Sequence, residues 1–267
     1  MGNIRLDVAV HERGLAESRE KARAIILAGQ ILVNGQRSDK PGAKVPEDAE
    51  ITMTGENLRY VSRGGLKLEG AIEAFGLTFT GKVMLDAGAS TGGFTDCALQ
   101  NGAVRVYAVD VGYGQLDWRL RSDPRVVVIE RTNIRYSEPE QFPEMMDIAT
   151  IDVSFISLSL VLPPIYSLMK QGGEVIALVK PQFEAGREQV GKKGVVKDPL
   201  IHQEVLLRAM KQAQEIGFTV KNACYSPVKG PNGNIEYFLY LVNSEPAAPA
   251  AIDVKELVER AHTALRG

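Results

Sequence analysis

The stretch Val83-Met-Leu-Asp-Ala-Gly-Ala-Ser-Thr-Gly-Gly-Phe94 constrains this chain more than any other. A short apolar run of the kind found in buried strands ends on Asp86, a glycine-dense turn follows, and the next residues suit a helix. A strand that passes into a helix through such a turn opens a parallel α/β sheet. It offers backbone N–H groups to a ligand at the carboxyl end of the strand. The order Gly88-Ala-Ser-Thr-Gly-Gly93 misses the Gly-x-Gly-x-x-Gly spacing of dinucleotide sites, and no Gly-Lys-Ser/Thr follows to make a P-loop. A second acidic residue, Asp110, closes the next predicted strand. It is either a solvated strand end or an acceptor for a ribose diol.

Around this unit the pattern keeps alternating. It predicts a helix over Leu66–Phe75, a helix after Gly93, and strands at Val83–Asp86, Arg105–Val109, Val126–Ile129 and Met146–Ile151. A helix over Leu158–Met169, a strand at Glu174–Val179 and a helix over Leu200–Ile216 follow, with two last strands near Phe218–Ala223 and Glu236–Val242. Such alternation implies an α/β fold with a mostly parallel sheet covered on both faces. The 267 residues divide into a small module over 1–58, a large domain over 59–244, and an alanine- and proline-rich linker with a terminal helix over 245–267. A formal net charge of -2 excludes a protein that is basic overall but not one with a local basic face. Cys97 and Cys224 are far apart in apolar surroundings and read as free thiols, and with three histidines in the chain no metal site is expected. No leader-like or membrane-spanning segment is read, so a cytoplasmic protein with no membrane partner is expected.

In the small module, Leu6, Val10 and Leu15 suit a first helix, and Ser18 can cap a second with Ala22, Ile25, Ile26 and Ala28 as its apolar stripe. Gly29 lets that helix stop, Ile31–Val33 followed by Asn34-Gly35 is a strand and tight turn, and a further strand covers Glu50–Thr54. Arg5, Arg19, Lys21, Arg23 and Arg37 cluster around these elements, as a solvated surface or as a nucleic-acid face. The segments Arg5-Leu-Asp-Val-Ala-Val, Glu17-Ser-Arg-Glu-Lys-Ala-Arg and Gly29-Gln-Ile-Leu-Val-Asn-Gly-Gln36 resemble the S4 domain, a small α+β RNA-binding module. The resemblance implies that these cations meet RNA phosphates and position the substrate without reading bases.

Four polar residues stand at element boundaries of the large domain: Lys67 in Ser62-Arg-Gly-Gly-Leu-Lys-Leu68, Asp152 in Ile151-Asp-Val-Ser-Phe155, Lys180 in Ala177-Leu-Val-Lys-Pro-Gln182, and Glu236 in Asn234-Ile-Glu-Tyr237. Strand ends converge on the ligand crevice of such sheets, so Asp152 and Lys180 are expected as neighbours, either a plain salt bridge or part of a reacting centre. Together with the S4-like segment, these motifs resemble the TlyA family, an S4 domain fused to an FtsJ/RrmJ-like ribose 2′-O-methyltransferase. The likeness runs over nearly the whole chain. It implies a seven-stranded Rossmann-like methyltransferase sheet and a catalytic tetrad Lys67, Asp152, Lys180 and Glu236. It further implies S-adenosylmethionine bound by Asp86, Gly88, Ala89, Ser90, Thr91, Gly92, Gly93 and Phe94, with Asp110 and Glu130 toward its nucleoside. The implied partner is 16S or 23S ribosomal RNA in subunits or ribosomes, modified at a cytidine ribose. Family members often carry the label hemolysin, which nothing in the composition of this chain supports.

A sugar hydroxyl must lose its proton as it attacks a sulfonium methyl. Lys180 is therefore expected as general base, with Lys67 and Glu236 holding the hydroxyl and Asp152 orienting the lysine. Arg63 beside Lys67, and Arg187, Lys192 and Lys193 in a glycine-rich loop read as mobile, are expected to meet RNA. Phe155, Tyr113 and Trp118 are candidates to stack on cofactor or base, with core packing the plainer expectation for Phe155. A non-catalytic RNA-binding or ribosome-assembly factor is the main alternative. A base methyltransferase lacks its cysteine or proline-aromatic motif here, and a nicotinamide dehydrogenase lacks its glycine spacing.

Overall fold

The computed structural model describes residues 2–53, 59–244 and 251–266. The small domain runs β1 (Asn3–Arg5), α1 (Leu6–Glu12), α2 (Arg19–Leu27), β2 (Ile31–Val33), β3 (Gln36–Arg37), β4 (Lys44–Pro46) and β5 (Ile51–Met53). Ser18 caps α2 by accepting from Lys21 N at 3.1 Å, and Gly29 leaves the helix at φ 70°, where an L side chain is strained. Asn34 and Gly35 both have positive φ, 50° and 74°, which matches the twist of the β2–β3 hairpin. The two helices close over Leu6, Val10, Ala22, Ile26, Ile31, Val45 and Ile51. So small a core buries a limited area and is marginal on its own.

The large domain follows as α3 (Gly64–Phe75), β6 (Val83–Ala87), α4 (Gly93–Gln100), β7 (Arg105–Val109), α5 (Trp118–Arg121), β8 (Val126–Ile129), β9 (Met146–Ile151), α6 (Leu158–Leu168), β10 (Met169–Val179), α7 (Pro181–Glu184), α8 (Pro199–Ile216), β11 (Thr219–Tyr225), β12 (Tyr237–Val242) and α9 (Val254–Ala264). Its seven strands lie in the order β11-β12-β10-β9-β6-β7-β8, parallel except for β12, which runs antiparallel to both neighbours. Chain order reverses beside β6, so the crevice between the carboxyl ends of β6 and β9 is the topological switch point where such sheets bind ligands. Alternation along the strands sorts the core onto two faces. Leu85, Tyr107, Ala149 and Val175 point toward α6 and α8, while Met84, Val106, Ile148 and Ile176 point toward α3 and α4.

Most expected elements stand where the pattern put them. β10 begins at Met169 rather than Glu174, because its first residues continue the pairing with β9 through a register shift. Glu236 lies just before β12 and not within it. The short helices α5 and α7 were not anticipated; at four residues each they carry no hydrophobic period to read. The boundary placed after residue 58 and the linker placed at 245–251 fall on or beside segments outside the described residues.

Candidate active site

Three neighbouring strands bring the polar residues together. Asp152 follows β9, Lys180 follows β10, and Glu236 precedes the antiparallel β12, so all three reach the same edge of the sheet. Lys67 arrives from the first turn of α3. The four form two ion pairs: Lys67 Nζ to Glu236 Oε2 at 2.7 Å, and Lys180 Nζ to Asp152 Oδ1 at 2.5 Å. Lys180 Nζ also donates to Val153 O at 2.8 Å and Ser154 Oγ at 3.1 Å, so each of its three N–H directions has an acceptor. Burial works against a charge on Lys67, yet the carboxylates of Asp152 and Glu236 outweigh it and hold its pKa above the ordinary lysine value. Burial pushes the other way on Asp152, where Lys180 and then Lys67 hold the carboxyl below the usual range. Asp152 thus links the two pairs electrostatically, and the four side chains meet in a largely buried place.

Gly88 explains how Asp152 comes to touch the glycine turn. Its φ is 88°, and a Cβ there would stand 2.6 Å from Asp152 O. Asp152 N in turn donates to Ala87 O at 2.9 Å. Gly92, at φ 95°, leaves room for Leu120, and Gly93 lets the start of α4 meet Ser62 and Gly65 at the start of α3. Two helix amino termini therefore converge on one side of the site. Asp110 accepts from Ser90 N at 2.8 Å and Gly112 N at 2.7 Å, which fixes the turn and leaves lone pairs on both oxygens.

Two cavities meet at Gly88, Ser90, Asp152 and Ser154. One, of about 270 Å³, holds Lys67 and Lys180 with Arg63, Thr91, Gly93 and Phe94. The other, of about 730 Å³, runs over Asp110, Gln115, Asn133, Ile156 and Leu160. The second lies within the usual size range of small-molecule sites, about 300–1,000 Å³.

Two expected cofactor residues are placed elsewhere. Asp86 is fully buried beneath the turn, accepting from Thr95 Oγ1 at 2.7 Å and Thr150 Oγ1 at 3.1 Å. Burial pushes its pKa up to about 7, and it lines neither cavity. Its even position on β6 turns it toward the α4 side, so it supports the loop from below. Glu130 accepts from Gly114 N at 2.8 Å and pairs with Arg121, because β8 is the outermost strand and its end meets α5. Of the remaining turn residues, Ala89 and Phe94 are buried, and Phe94 stacks toward Phe238 with ring centroids 6.2 Å apart.

Phe155 corrects the expectation of core packing: it is 90 % exposed at φ 63°, its ring 4.9 Å from that of Phe183. A bulky residue held in the left-handed region and in water is costly in two ways. Tyr113 and Trp118 are exposed as well, with the Arg131 guanidinium 4.2 Å from the Tyr113 ring centroid.

The basic residues divide. Arg5 and Arg19 both grip the buried Asp7, at 2.9 and 3.2 Å, and Lys21 pairs with Glu17. Arg23 is exposed on α2. Arg37 and Arg63 converge, since a Cβ on Gly29 would stand 3.4 and 3.2 Å from their Cδ atoms, and Arg63 also lines the smaller cavity. Arg187, Lys192 and Lys193 are exposed on the loop read as mobile. That loop is tied down: Asn234 Nδ2 donates to Gly194 O at 2.9 Å, Val196 N donates to Asn234 Oδ1 at 3.2 Å, and Glu184 caps α6 by accepting from Leu158 N at 2.7 Å.

Gln182 escaped the sequence reading. Its Nε2 donates to Glu236 Oε1 at 3.0 Å, opposite the Lys67 contact, and its Oε1 is buried with no partner among the described residues. Proximity in sequence to Lys180 was the signal available. Among the described residues no group of His, Cys, Asp and Glu could hold a metal, and no helix is long and apolar enough to cross a membrane.

Comparison with known proteins agrees with this architecture. The FtsJ-like methyltransferase model matches residues 60–243 and the S4 domain model residues 4–51. The Bacillus subtilis protein YqxC is 53% identical over 98% of this chain and 95% of its own length. The 16S/23S rRNA (cytidine-2′-O)-methyltransferase TlyA of Mycobacterium tuberculosis is 45% identical over 96% of each chain. A solved Streptococcus thermophilus structure described as a hemolysin superposes with TM-score 0.79 at 48% identity, covering 99% of this chain and 97% of that one. The fused domains, the sheet order and the two linked ion pairs lead to one conclusion: this chain belongs to the FtsJ-like methyltransferases and carries an S4 domain at its amino end.

Proposed function

We propose that this enzyme methylates the 2′-hydroxyl of a cytidine ribose in 16S or 23S ribosomal RNA, using S-adenosylmethionine. The observation that carries the reading is the pair of lysine–carboxylate bridges, with Lys67 and Lys180 lining the smaller cavity and Asp152 standing where it meets the larger one. S-adenosylmethionine supplies an electrophilic methyl group when bound. Asp110, Ser90 and the walls of the larger cavity would hold its nucleoside, and the turn 88–93 with the amino terminus of α4 would hold its amino-acid end. The target ribose then belongs in the smaller cavity beside Lys67 and Lys180.

Lys180 takes the hydroxyl proton at Nζ. Asp152, Val153 O and Ser154 Oγ orient that nitrogen, which accepts the hydroxyl proton once one of its own three protons has passed to solvent. Lys67, held by Glu236 and through it by Gln182, anchors the same hydroxyl from the opposite side. Holding the nucleophile in line contributes more than proton transfer, because oriented reactants recover roughly 7–11 kcal/mol of barrier while general base catalysis supplies about 10²–10⁴ in rate. Phe155, exposed beside Phe183 at the mouth, is placed to stack on a nucleobase turned out of its helix.

Labelled methyl transfer into 30S, 50S and 70S particles from cells lacking the protein tests the reading. A product resistant to alkaline cleavage at one ribose is expected, since the modified sugar has no 2′-hydroxyl to attack its phosphate. Absence of transfer to any particle, with cofactor binding intact, would overturn it in favour of a non-catalytic RNA-binding factor.

A further inference from the structure

Beside the active cleft lies a separate cavity of about 890 Å³ with no member of the tetrad in its wall. The loop 189–198, the turn 229–235 and the end of α9 enclose it. Lys192, Lys193, Lys197, Lys229 and Arg266 line it against one carboxylate, Asp198. That carboxylate is already engaged, capping α8 by accepting from Leu200 N at 2.9 Å. The side chains of Lys192, Lys193, Lys197 and Arg266 make no ion pair among the described residues. Concentrating like charges without partners costs free energy, and a bound polyanion would relieve it.

The cations stand on a built platform. Buried Asn234 holds the loop through Gly194 O and Val196 N, and Asn232, itself at φ 58°, donates to Lys193 O at 3.2 Å. Val196 O is fixed in turn by His202 Nε2 at 3.0 Å, and His202 Nδ1 lies 2.8 Å from Tyr237 Oη. His262 of α9 reaches His202 at 3.3 Å, which docks the terminal helix against the same strut. From the small domain, Lys40 Nζ donates to Asn232 Oδ1 at 2.8 Å, adding a further cation near the rim.

We propose that this cavity binds the phosphodiester backbone of the RNA strand that carries the target ribose, on one flank of the reacting nucleotide. The inference rests on the function proposed above and extends it to a site on the catalytic domain. Continuity decides the path. Lys229 lines both this cavity and the one holding Lys67 and Lys180, so a strand leaving the reacting sugar passes directly to it. The same turn presses on the tetrad, since a Cβ at Gly230 would stand 2.1 Å from Glu236 Oε1. The wall favours backbone over a free nucleotide: apart from His262 it has no aromatic ring on which a base could stack. Lysines on a fixed loop bind phosphate without reading sequence.

The test compares the full-length protein with the double variants Lys197→Glu/Arg266→Glu and Lys197→Gln/Arg266→Gln. Binding to protein-free 16S and 23S ribosomal RNA is measured across a salt series, with thermal melts and cofactor affinity alongside. The neutral variant should bind RNA several-fold to about tenfold more weakly at moderate salt. Its log–log salt slope should be shallower by about 1–2, at roughly 0.7–0.9 per phosphate contact. The charge reversal should weaken binding further, and cofactor affinity should not change. RNA binding with wild-type affinity and slope in both variants would overturn the proposal. Loss of poly-glutamate binding with RNA binding unchanged would overturn it too, assigning the cavity to an acidic protein. Wild-type protein that binds RNA in this way yet methylates no particle would refute the catalytic reading and leave the cavity assignment standing.

Discussion

Two ionic clusters, one in each domain, are built from similar parts to different ends. In the small domain one carboxylate, Asp7, takes two arginines from positions 5 and 19. In the large domain two carboxylates take two lysines from positions 67, 152, 180 and 236. The first is local, made by one strand and two adjacent helices, and the second exists only when distant elements have met. Arginine offers a rigid fork that keeps its proton, whereas lysine offers a single nitrogen that can give one up. The small cluster can hold shape and charge, and the large one can also move a proton. The residue types divide the labour between docking and chemistry.

Lys180→Arg tests the division most severely. It keeps the charge and the partner Asp152, yet methyl transfer should fall by about 10²–10⁴ or more with cofactor affinity retained. Near-wild-type turnover in single-turnover assays would erase the distinction between the clusters.

Acid should part the domains next. His202, neutral in the fold with its pKa pushed to about 4 by burial, contributes stability that is complete above its unfolded value near 6.5. That contribution is lost as pH falls from there toward 4, by about 3 kcal/mol in all at 1.36 kcal/mol per unit. Asp86 acts with opposite sign, since a carboxyl raised to about 7 favours the fold as pH falls from 7 toward its unfolded value. The comparison to make is wild type against His202→Gln by chemical denaturation between pH 4.5 and 8, where the gap should narrow steadily toward acid. A constant gap would remove the histidine from the account. Asp7, held below the usual carboxylate range chiefly by its hydrogen bond from Arg5, contributes stability above its unfolded pKa and loses it only below about pH 4.

Asp7→Asn sharpens the small side of the comparison. Because Arg5 and Arg19 remain about half exposed and can turn to water, the loss should be modest, roughly 1–2 kcal/mol. Release of the two guanidinium groups should leave RNA affinity unchanged or higher. A fall in affinity of the folded protein would show that Asp7 aims the arginines at phosphate.

Gln182→Ala should have the smallest effect, about tenfold on kcat, the cost of one hydrogen bond to a charged group, with KM for RNA unaltered. Gln182→Asn, which is shorter by one methylene, should not restore it. A change confined to KM would place Gln182 against the substrate instead of behind Glu236.

The α/β architecture was legible because strand ends and glycine turns are local signals, whereas the tetrad as a set came through the family resemblance. The run from Val83 to Phe94 announces its strand, turn and helix without reference to the rest of the chain. Phe155 shows where that reasoning stops. Its exposure depends on a backbone left-handed at that one residue, and no period or composition encodes this. Gln182 and His202 were missed because their meaning comes from partners 54 and 35 residues away. Asp86 and Glu130 line neither cavity, because a strand-end carboxylate can turn into the ligand crevice, under it, or toward a neighbouring helix. Only packed neighbours choose among those directions.

The antiparallel seat of β12 sets an order of events during synthesis. Each strand pairing of the small domain lies within residues 3–53, so all its partners are synthesised before the large domain begins. β10 stays open on one side until residues 237–242 arrive to pair with it, and Glu236 comes in with that strand. A growing chain therefore holds every strand pairing of its S4 domain long before its catalytic apparatus, and a product cut short of residue 236 lacks one member of the tetrad.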